Sequence, residues 1–403
     1  MAGTGCVALI AAAALAQGGR GSSMRDTDQL TGKATVAAAA QTAFGLRLLR
    51  VLAATEPHRN IFVSPTSVFL ALGMLESGAA GGTRAEIRAT LAVPADVREA
   101  ALHESAAALS NWLRRQDGAE LAIANALWAD RHISLPPEYV EHCRRFYESQ
   151  AQTLDFHDPA AAAAINAWVR ANTRNKIAEI VSERAIAASK AILTNAVYFK
   201  GKWQIPFEKK LTRPGPFHGA GSSTTQANFM HQTGLRHAYR SAEGYQAAVL
   251  DYAPDGGLAL AVVLPRPGSE VAEVLAKIDV RKLLRDEQAV ELDLRLPRFT
   301  MDYGTSLRLA LSQMGMAAAF DYGSADFSPL GSREFFVGDV LHKTRLELDE
   351  EGTVAAAATA ILAPMGMPQP LEKKTLTVDR PFGLLLCERQ TGAVVFAGVV
   401  YEP

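Results

Sequence analysis

The sequence predicts an α+β fold in which helices come first and strands cluster late. Most segments whose apolar residues recur at helical spacing lie in residues 34–173, whereas nearly all strand-like segments lie after residue 190. No Pro/Gly-rich linker long enough to separate domains interrupts residues 34–403, and no internal repeat is present. We therefore predict a single folded domain over residues 34–403.

The composition excludes several classes of protein. The 41 Lys and Arg residues against 42 Asp and Glu residues give a net charge of −1, so no basic excess is available to neutralise nucleic-acid phosphates. Three cysteines are too few for a disulfide scaffold, and Cys143 and Cys387 are expected to be unpaired core thiols. No apolar run approaches the roughly 18 residues that span a bilayer. We expect neither nucleic acid nor membrane as a partner.

The amino terminus differs in composition from the rest of the chain. Residues 7–16 form an apolar run that ends in Ala14-Leu15-Ala16, a pattern that signal peptidase cuts, although the preceding residues carry no positive charge. Residues 1–16 are therefore predicted to be a signal peptide, and the protein is expected to be secreted or periplasmic. Residues 17–33 are polar and rich in Gly and Ser, which predicts a flexible leader.

The helices follow from apolar spacing and capping. Residues 34–54 carry apolar residues at helical spacing. Ser64 and Pro65 then provide an N-cap and a first-turn proline for a helix over residues 66–77, which is apolar on nearly every face and belongs in the middle of a core. Thr83 opens a short helix after a Gly-rich turn. Further helices are predicted over residues 99–115, 138–147 and 159–173.

The predicted strands begin at residue 121. They are runs of apolar residues, many of them β-branched or aromatic, which are enriched in strands. They cover residues 121–128, 192–199, 245–252, 258–264, 290–296, 335–348, 382–388 and 394–401.

No catalytic constellation stands out. The sequence contains no HExxH, GxSxG or Walker motif, and the Gly-rich residues 78–83 lack the lysine of a phosphate-binding loop. The nine histidines are scattered without the spacing of metal ligands. The sequence therefore predicts a protein that is not an enzyme and needs no metal and no cofactor.

One segment late in the chain is unusual. Residues 352–360 contain only Gly, Thr, Val and Ala. Alanine favours a small surface helix, but a solvated helix normally carries charges on one face and this segment has none. Small side chains also suit a strand that enters a tight slot, with alternate residues from Thr353 to Thr359 facing a core. The proline-rich, uncharged residues 364–370 predict an exposed loop of the kind that proteases cut.

Six motifs, in this order along the chain, resemble those of the serpin family of serine protease inhibitors. They are Asn60–Pro65 with Ser67, Leu193–Trp203, Leu296–Phe299, Val340–Lys343, Glu350–Thr353 and Asp379–Phe382. The resemblance covers most of residues 36–403, and it is to an inhibitory-type, bacterial-like member. It implies a serpin fold of three β-sheets with about nine helices and an exposed reactive loop.

The resemblance also implies a mechanism. A target serine protease attacks the loop and forms a covalent acyl-enzyme, and the loop then inserts into the main sheet as a new strand and distorts the protease. The implied protein is a metastable monomer that acts as an irreversible suicide-substrate inhibitor. The implied partner is the target protease.

Matching positions assign roles to individual residues. The hinge of the loop comprises Glu350, Gly352, Thr353, Val354, Ala355, Ala356, Ala357 and Ala358. A polar cluster under the middle of the main sheet, the shutter, comprises Ser64, Ser67, Asn195 and His342. The top of that sheet, the breach, comprises Trp203, Arg298 and Glu350, the last two as an ion pair.

The scissile bond has three candidate positions. Counting from the hinge glycine places Gly366 before the bond, whereas the local pattern favours Met365 because methionine fills an apolar specificity pocket. We favour Met365–Gly366 over Gly366–Met367, with cleavage after Met367 as a third alternative. These residues predict a protease of the elastase, chymotrypsin or subtilisin type.

A non-inhibitory serpin that acts as a binding or chaperone module is the alternative function. Small hinge residues favour the inhibitor, because non-inhibitory relatives often carry bulky or charged residues there. Val354 departs from the family pattern, which commonly has an acidic residue after the hinge threonine.

Overall fold

The computed structural model describes residues 8–116, 119–187, 189–221, 223–252, 257–285, 288–331, 335–353 and 371–403, with side chains from residue 32 onward except that of Thr353. These residues form ten α-helices. They are α1 Ala8–Thr55, α2 Pro65–Ser77, α3 Gly81–Thr90, α4 Glu99–Arg114, α5 Pro137–Tyr147, α6 Ala160–Asn172, α7 Glu183–Ala187, α8 Val271–Leu275, α9 Val280–Arg285 and α10 Arg308–Gln313.

The same residues form fourteen strands. They are β1 Ile61–Val63, β2 Ala119–Asp130, β3 Gln150–Leu154, β4 Ala191–Lys202, β5 Arg213–His218, β6 Thr224–Ala242, β7 Tyr245–Asp251, β8 Leu258–Pro265, β9 Gln288–Ser306, β10 Asp339–Leu348, β11 Gly352–Thr353, β12 Lys373–Thr377, β13 Phe382–Glu388 and β14 Val394–Val400.

The strands form three sheets that share long strands. The main sheet has the order β9-β10-β4-β2-β3, with β11 paired to β4. A second sheet has the order β5-β6-β9-β12, and a third runs β6-β7-β8-β13-β14-β1. Strands β6 and β9 have 19 residues each, and each contributes its two halves to different sheets. The α+β class and the three sheets predicted from the sequence are confirmed.

Predicted strands match observed ones where the sequence is apolar. Residues 335–338 precede β10 rather than forming its start. Strands β1, β3, β5, β6 and β12 were not predicted, because they are short or rich in polar residues. Their backbone pairing depends on distant partner strands, and this leaves little trace in a local apolar pattern.

Helix α1 is longer than the predicted helix over residues 34–54. Residues 17–33, for which the composition predicts a flexible leader, are helical in the structure. Once a helix is nucleated, each added residue requires no new nucleation, so a helix can extend through a poor sequence. Residues 1–7 lie outside the described residues, and the signal peptide and secretion stay predictions.

The apolar character of α1 is explained by packing. Among the described residues, the part of α1 from residue 32 to residue 55 is long and apolar enough to cross a bilayer. However, 56% of its most apolar 18-residue segment is buried inside the protein. Phe44, Leu48 and Leu49 in this stretch have no exposed surface. Burial in the core accounts for the apolar composition of this helix.

Helix α2 lies at the centre of the core, as its composition predicts. Every residue from Pro65 to Glu76 is buried. The side chain of Ser64 accepts a hydrogen bond from the Ser67 backbone N–H, which provides the predicted N-cap. The helix packs beneath the main sheet and positions the polar residues described next.

Candidate functional site

The centre of the main sheet contains a parallel pair of strands, β4 and β10. Residues Asp339–Arg345 pair in register with Ile192–Tyr198. Above Arg345 and Tyr198 the ladder between the two strands ends, although both strands continue. The sheet therefore has a cleft at the carboxyl ends of β4 and β10.

The chain turns back into this cleft directly after β10. The Asp349 backbone N–H donates to the Gly352 carbonyl at 2.9 Å and closes the turn. Gly352 and Thr353 then pair antiparallel with Lys202 and Gly201 of β4. The hinge residues Gly352 and Thr353 thus already form a short strand at the top of the main sheet.

Trp203 connects this turn to the body of the protein. Its indole Nε1–H donates to the Asp349 carbonyl at 2.9 Å, and its backbone N–H donates to the Glu351 carbonyl at 3.1 Å. The Phe207 backbone N–H donates to the Glu350 carbonyl at 2.8 Å. Three hydrogen bonds therefore hold the turn in place.

The side chain of Glu350 is buried beneath the same turn. Its carboxylate accepts a hydrogen bond from the Thr212 hydroxyl at 2.7 Å, and Arg298 Nη1 lies 3.3 Å from its Oε1. Burial by itself raises the pKa of Glu350, but the hydrogen bonds from Thr212 and the backbone and the charge of Arg298 together hold the pKa below its ordinary value. The structure brings together Trp203, Arg298 and Glu350, the predicted breach residues, around an ionised carboxylate.

The predicted shutter residues also lie together, completely or almost completely buried. The Ser64 backbone N–H donates to His342 Nε2 at 3.2 Å, so the proton of a neutral ring is on Nδ1, which bonds Asn195 Oδ1. The Asn195 amide group then donates to the Ser67 hydroxyl and to Asn125 Oδ1. A continuous chain of hydrogen bonds therefore joins α2, β2, β4 and β10.

His342 is neutral in this cluster. Its side chain has 1% exposed surface, and burial lowers its pKa to about 3. A second proton would sit on Nε2 and would face the Ser64 N–H, placing two donors against each other. The bond between His342 and Asn195 joins residues that lie directly opposite each other in β10 and β4.

Sequence reasoning missed two members of these clusters. Asn125 accepts hydrogen bonds from Ser67 and Asn195 and donates to the Ser67 carbonyl at 3.1 Å. Thr212 bonds Glu350 across 138 positions of sequence. The signal for Asn125 was an amide within an apolar strand, since a buried amide requires polar partners. Thr212 lies in a polar segment and gave no such signal.

A segment after α6 covers the β4–β10 pair on one face. Lys176 Nζ lies 3.3 Å from Glu347 of β10 and 5.5 Å from the ring centroid of Tyr198 in β4. Lys343 Nζ donates to the Glu179 carbonyl at 2.8 Å. Separation of the two strands would stretch these contacts.

Several predicted residues lie outside the described residues. These are the hinge residues Val354, Ala355, Ala356, Ala357 and Ala358 and the candidate scissile residues Met365, Gly366 and Met367. The buried Cys143 and Cys387 are unpaired thiols, as predicted. Within the described ranges, no group of three His, Cys, Asp or Glu side chains is arranged to hold a metal ion.

A known protein family and several known proteins are similar to this chain over most of its length. Residues 39–403 match the family model described as Serpin (serine protease inhibitor). An uncharacterised serpin-like protein of Thermococcus kodakarensis is 34% identical over 354 residues, covering 86% of this chain and 81% of that protein. Leukocyte elastase inhibitor A of Mus musculus is 31% identical over 379 residues, covering 90% of this chain and 98% of the relative.

A solved structure has the same fold. The structure of human thyroxine-binding globulin superposes on this protein with a TM-score of 0.81. The two sequences are 27% identical, and the match covers 93% of this chain and 99% of that chain. The family match spans nearly the whole chain and the solved structure shares its fold, so the predicted serpin fold is confirmed. The chain belongs to the serpin family of serine protease inhibitors.

Proposed function

We propose that this serpin is an irreversible inhibitor of a serine protease of the elastase, chymotrypsin or subtilisin type, and that it acts by cleavage of the reactive loop and insertion of the segment before the cleaved bond into the main sheet. The observation that carries this proposal is the short strand β11. It lies at the open end of the β4–β10 pair and runs antiparallel to β4. A longer strand from the same start would enter between β4 and β10.

Insertion would change the pairing of the main sheet. The parallel contact between β4 and β10 would be replaced by two antiparallel contacts with the new strand, and antiparallel pairing is slightly more stable per residue. If the register of Gly352 with Lys202 and of Thr353 with Gly201 continues, Thr359 arrives opposite Asn195. The Thr359 hydroxyl could then donate to Asn195 Oδ1 and replace the hydrogen bond that Asn195 loses when His342 moves away.

The residue types of the hinge support insertion. Strand β4 is buried along residues 191–199, so an incoming neighbour must fit between side chains that already fill space. Residues 354–360 are Val, Ala and Thr and carry no charge that would have to be buried unpaired. Leukocyte elastase inhibitor A of Mus musculus, a protein named for inhibition of an elastase, is similar to this chain over 90% of the length of this chain.

The direct test is a covalent complex with a serine protease. The purified protein is mixed with elastase, chymotrypsin, subtilisin and trypsin, and each mixture is boiled in detergent and separated by electrophoresis. We expect a band at the summed mass with at least one of the first three proteases. A catalytic-serine-to-alanine form of the same protease is the matched control, and it should give no band because the acyl bond cannot form.

A second test measures insertion alone. Nicking the loop near Met365, with the fragments kept together, frees the segment from residue 352 onward to enter the sheet. The nicked protein should melt tens of degrees above the intact protein, because the inserted strand adds ladder hydrogen bonds and apolar burial. Equal melting temperatures, together with no covalent band, would favour a non-inhibitory binding or chaperone module.

A further inference from the structure

A cleft of about 320 Å³ opens on the second sheet, away from the β4–β10 pair. Four strands contribute to it, because Arg213 lies on β5, Phe229 and His231 on β6, Arg295 on β9 and Thr377 on β12. Phe229 is 7% exposed and provides an apolar floor. The cleft is therefore a concave surface with an apolar base and a polar rim.

The rim carries an excess of positive charge. Arg213 Nη1 donates to the carbonyls of Lys210 and Thr212 at 2.6 and 2.8 Å, which orients the guanidinium without neutralising it. Arg295 is exposed, and its side chain has no hydrogen bond or ion pair with any described residue. The carboxylate of the lining, Asp379, is already 3.3 Å from Arg380. Two arginines thus border the cleft without a carboxylate partner among the described residues.

The position of the cleft relative to the reactive loop indicates what could occupy it. Thr377 ends β12, the strand that follows the loop, and it pairs with Arg295 in register. Residue 365 is six residues before Leu371, and six extended residues span at most roughly 20 Å, so residue 365 lies within roughly 20 Å of Leu371. A protease domain has a radius of gyration of about 17 Å. Arg213 follows Thr212, whose hydroxyl donates to Glu350 just before the loop, so elements from both ends of the loop meet at the cleft. A protease that holds residue 365 in its active site would sit over this end of the molecule.

We propose that this cleft is a docking site for an acidic side chain on the surface of the target protease. The carboxylate contacts Arg295 and Arg213, and the aliphatic part of the same side chain packs on Phe229. This proposal rests on the proposed inhibitory function. It adds that the protein prefers a target with negative charge beside its active site, and that the cleft increases the rate of association rather than the yield of trapped enzyme.

The test uses two proteases that share a primary specificity and form the covalent complex, one anionic and one cationic. The second-order rate constant and the stoichiometry of complex formation are measured for the full-length wild type and for Arg295→Glu and Arg213→Glu. With the anionic protease at low salt, each variant should react about tenfold more slowly, because a charge at the rim controls association. The difference should shrink at 0.5 M salt, since surface charges are then screened. The cationic protease should react equally fast or faster with the variants.

Matched controls separate the cleft from total charge and from loop insertion. Arg285→Glu makes the same charge change at the end of α9, and it should leave both rate constants within about twofold of wild type. The stoichiometry should be unchanged in every variant. Equal slowing by Arg285→Glu, or no slowing by Arg295→Glu, would overturn the docking site while leaving the inhibitor intact.

Two further outcomes are informative. If rates stay unchanged while added benzoate perturbs the NMR signals of Phe229 and His231, the cleft binds small carboxylates and the protease-docking proposal is wrong. If wild-type protein forms no covalent complex with any protease, the inhibitory function itself fails, and the docking proposal fails with it.

Discussion

Gly352 packs directly against the carbonyl oxygen of Gly201. A Cβ atom placed on Gly352 would lie 2.2 Å from that oxygen, and the backbone φ of Gly352 is +138°. Both the close approach and the backbone conformation therefore require glycine. The start of the reactive-loop segment is fixed to β4 by a contact that no other residue type can make.

Gly352→Ala should damage the hinge. We expect β11 to detach from β4, insertion to start later, and a larger share of encounters to end as plain cleavage, so that the stoichiometry of inhibition rises several-fold. The measurement is titration of a responsive protease with wild type and variant. Gly234→Ala is the control, because Gly234 also has positive φ, at +70°, but nothing lies within 4 Å of an added Cβ. A normal stoichiometry for Gly352→Ala would show that β11 is not the start of insertion.

Thr353→Arg should convert the inhibitor into a substrate. Residue 353 already pairs with Gly201 of β4, and insertion would enclose it between β4 and β10. Burial of an unpaired charge there costs several kcal/mol even after the surroundings relax. Gel electrophoresis should reveal the cleaved chain without the covalent band. Thr353→Val keeps the shape without a charge and should still trap the protease. An undiminished covalent band from Thr353→Arg would rule out insertion through this position.

Met365→Arg should change the class of protease inhibited. Trypsin-like proteases hold a buried carboxylate in their specificity pocket, which pairs with arginine but not with methionine. The rate constants for trypsin and elastase should exchange rank. Mass spectrometry of the released peptide locates the bond at the same time. Cleavage after Gly366 or Met367, with no exchange of rank, would mean that our assignment of the scissile bond is wrong by one or two residues.

The shutter should make stability depend on pH. Burial lowers the pKa of His342 to about 3 from an ordinary value of 6.5, so between these values the unfolded chain binds a proton that the folded chain excludes. The free energy of unfolding should therefore fall as the pH drops below 6.5, by up to about 1.4 kcal/mol per pH unit for this residue, and this loss should stop below about pH 3. Above pH 6.5 the ring is neutral in both states and contributes no pH dependence.

Urea unfolding midpoints of the intact protein at a series of pH values test this. His342→Gln should be less stable than wild type at pH 7.5, because Ser64 and Asn195 lose their buried hydrogen bonds to the ring. The free energy of unfolding of this variant should change less than that of wild type between pH 6.5 and 4. His157→Gln, at an exposed histidine, should follow the wild-type curve. Parallel curves for wild type and His342→Gln would assign the dependence to His103 and His237, whose pKa values burial lowers to about 4.

The local elements of this protein were determined by short stretches of sequence. The cap at Ser64, the all-apolar helix after it and the apolar strands such as residues 192–199 follow from neighbours a few residues apart. Their physical causes, capping bonds and burial of one face or of every face, act within a single element. The six family motifs, in their order along the chain, added the family and its fold, and they supplied the predictions for the hinge, breach and shutter residues.

The arrangement of those elements was decided only in the tertiary structure. Asn125 joins the shutter across 58 positions from Ser67, the parallel pairing sets His342 against Asn195 across 147 positions, and Arg213 and Arg295 border one cleft from different strands. A hydrogen bond, an unpaired charge or a steric limit such as that at Gly352 depends on which distant atom lies within a few ångströms. That distance follows from strand register and sheet packing, which the residues on either side in the sequence do not specify.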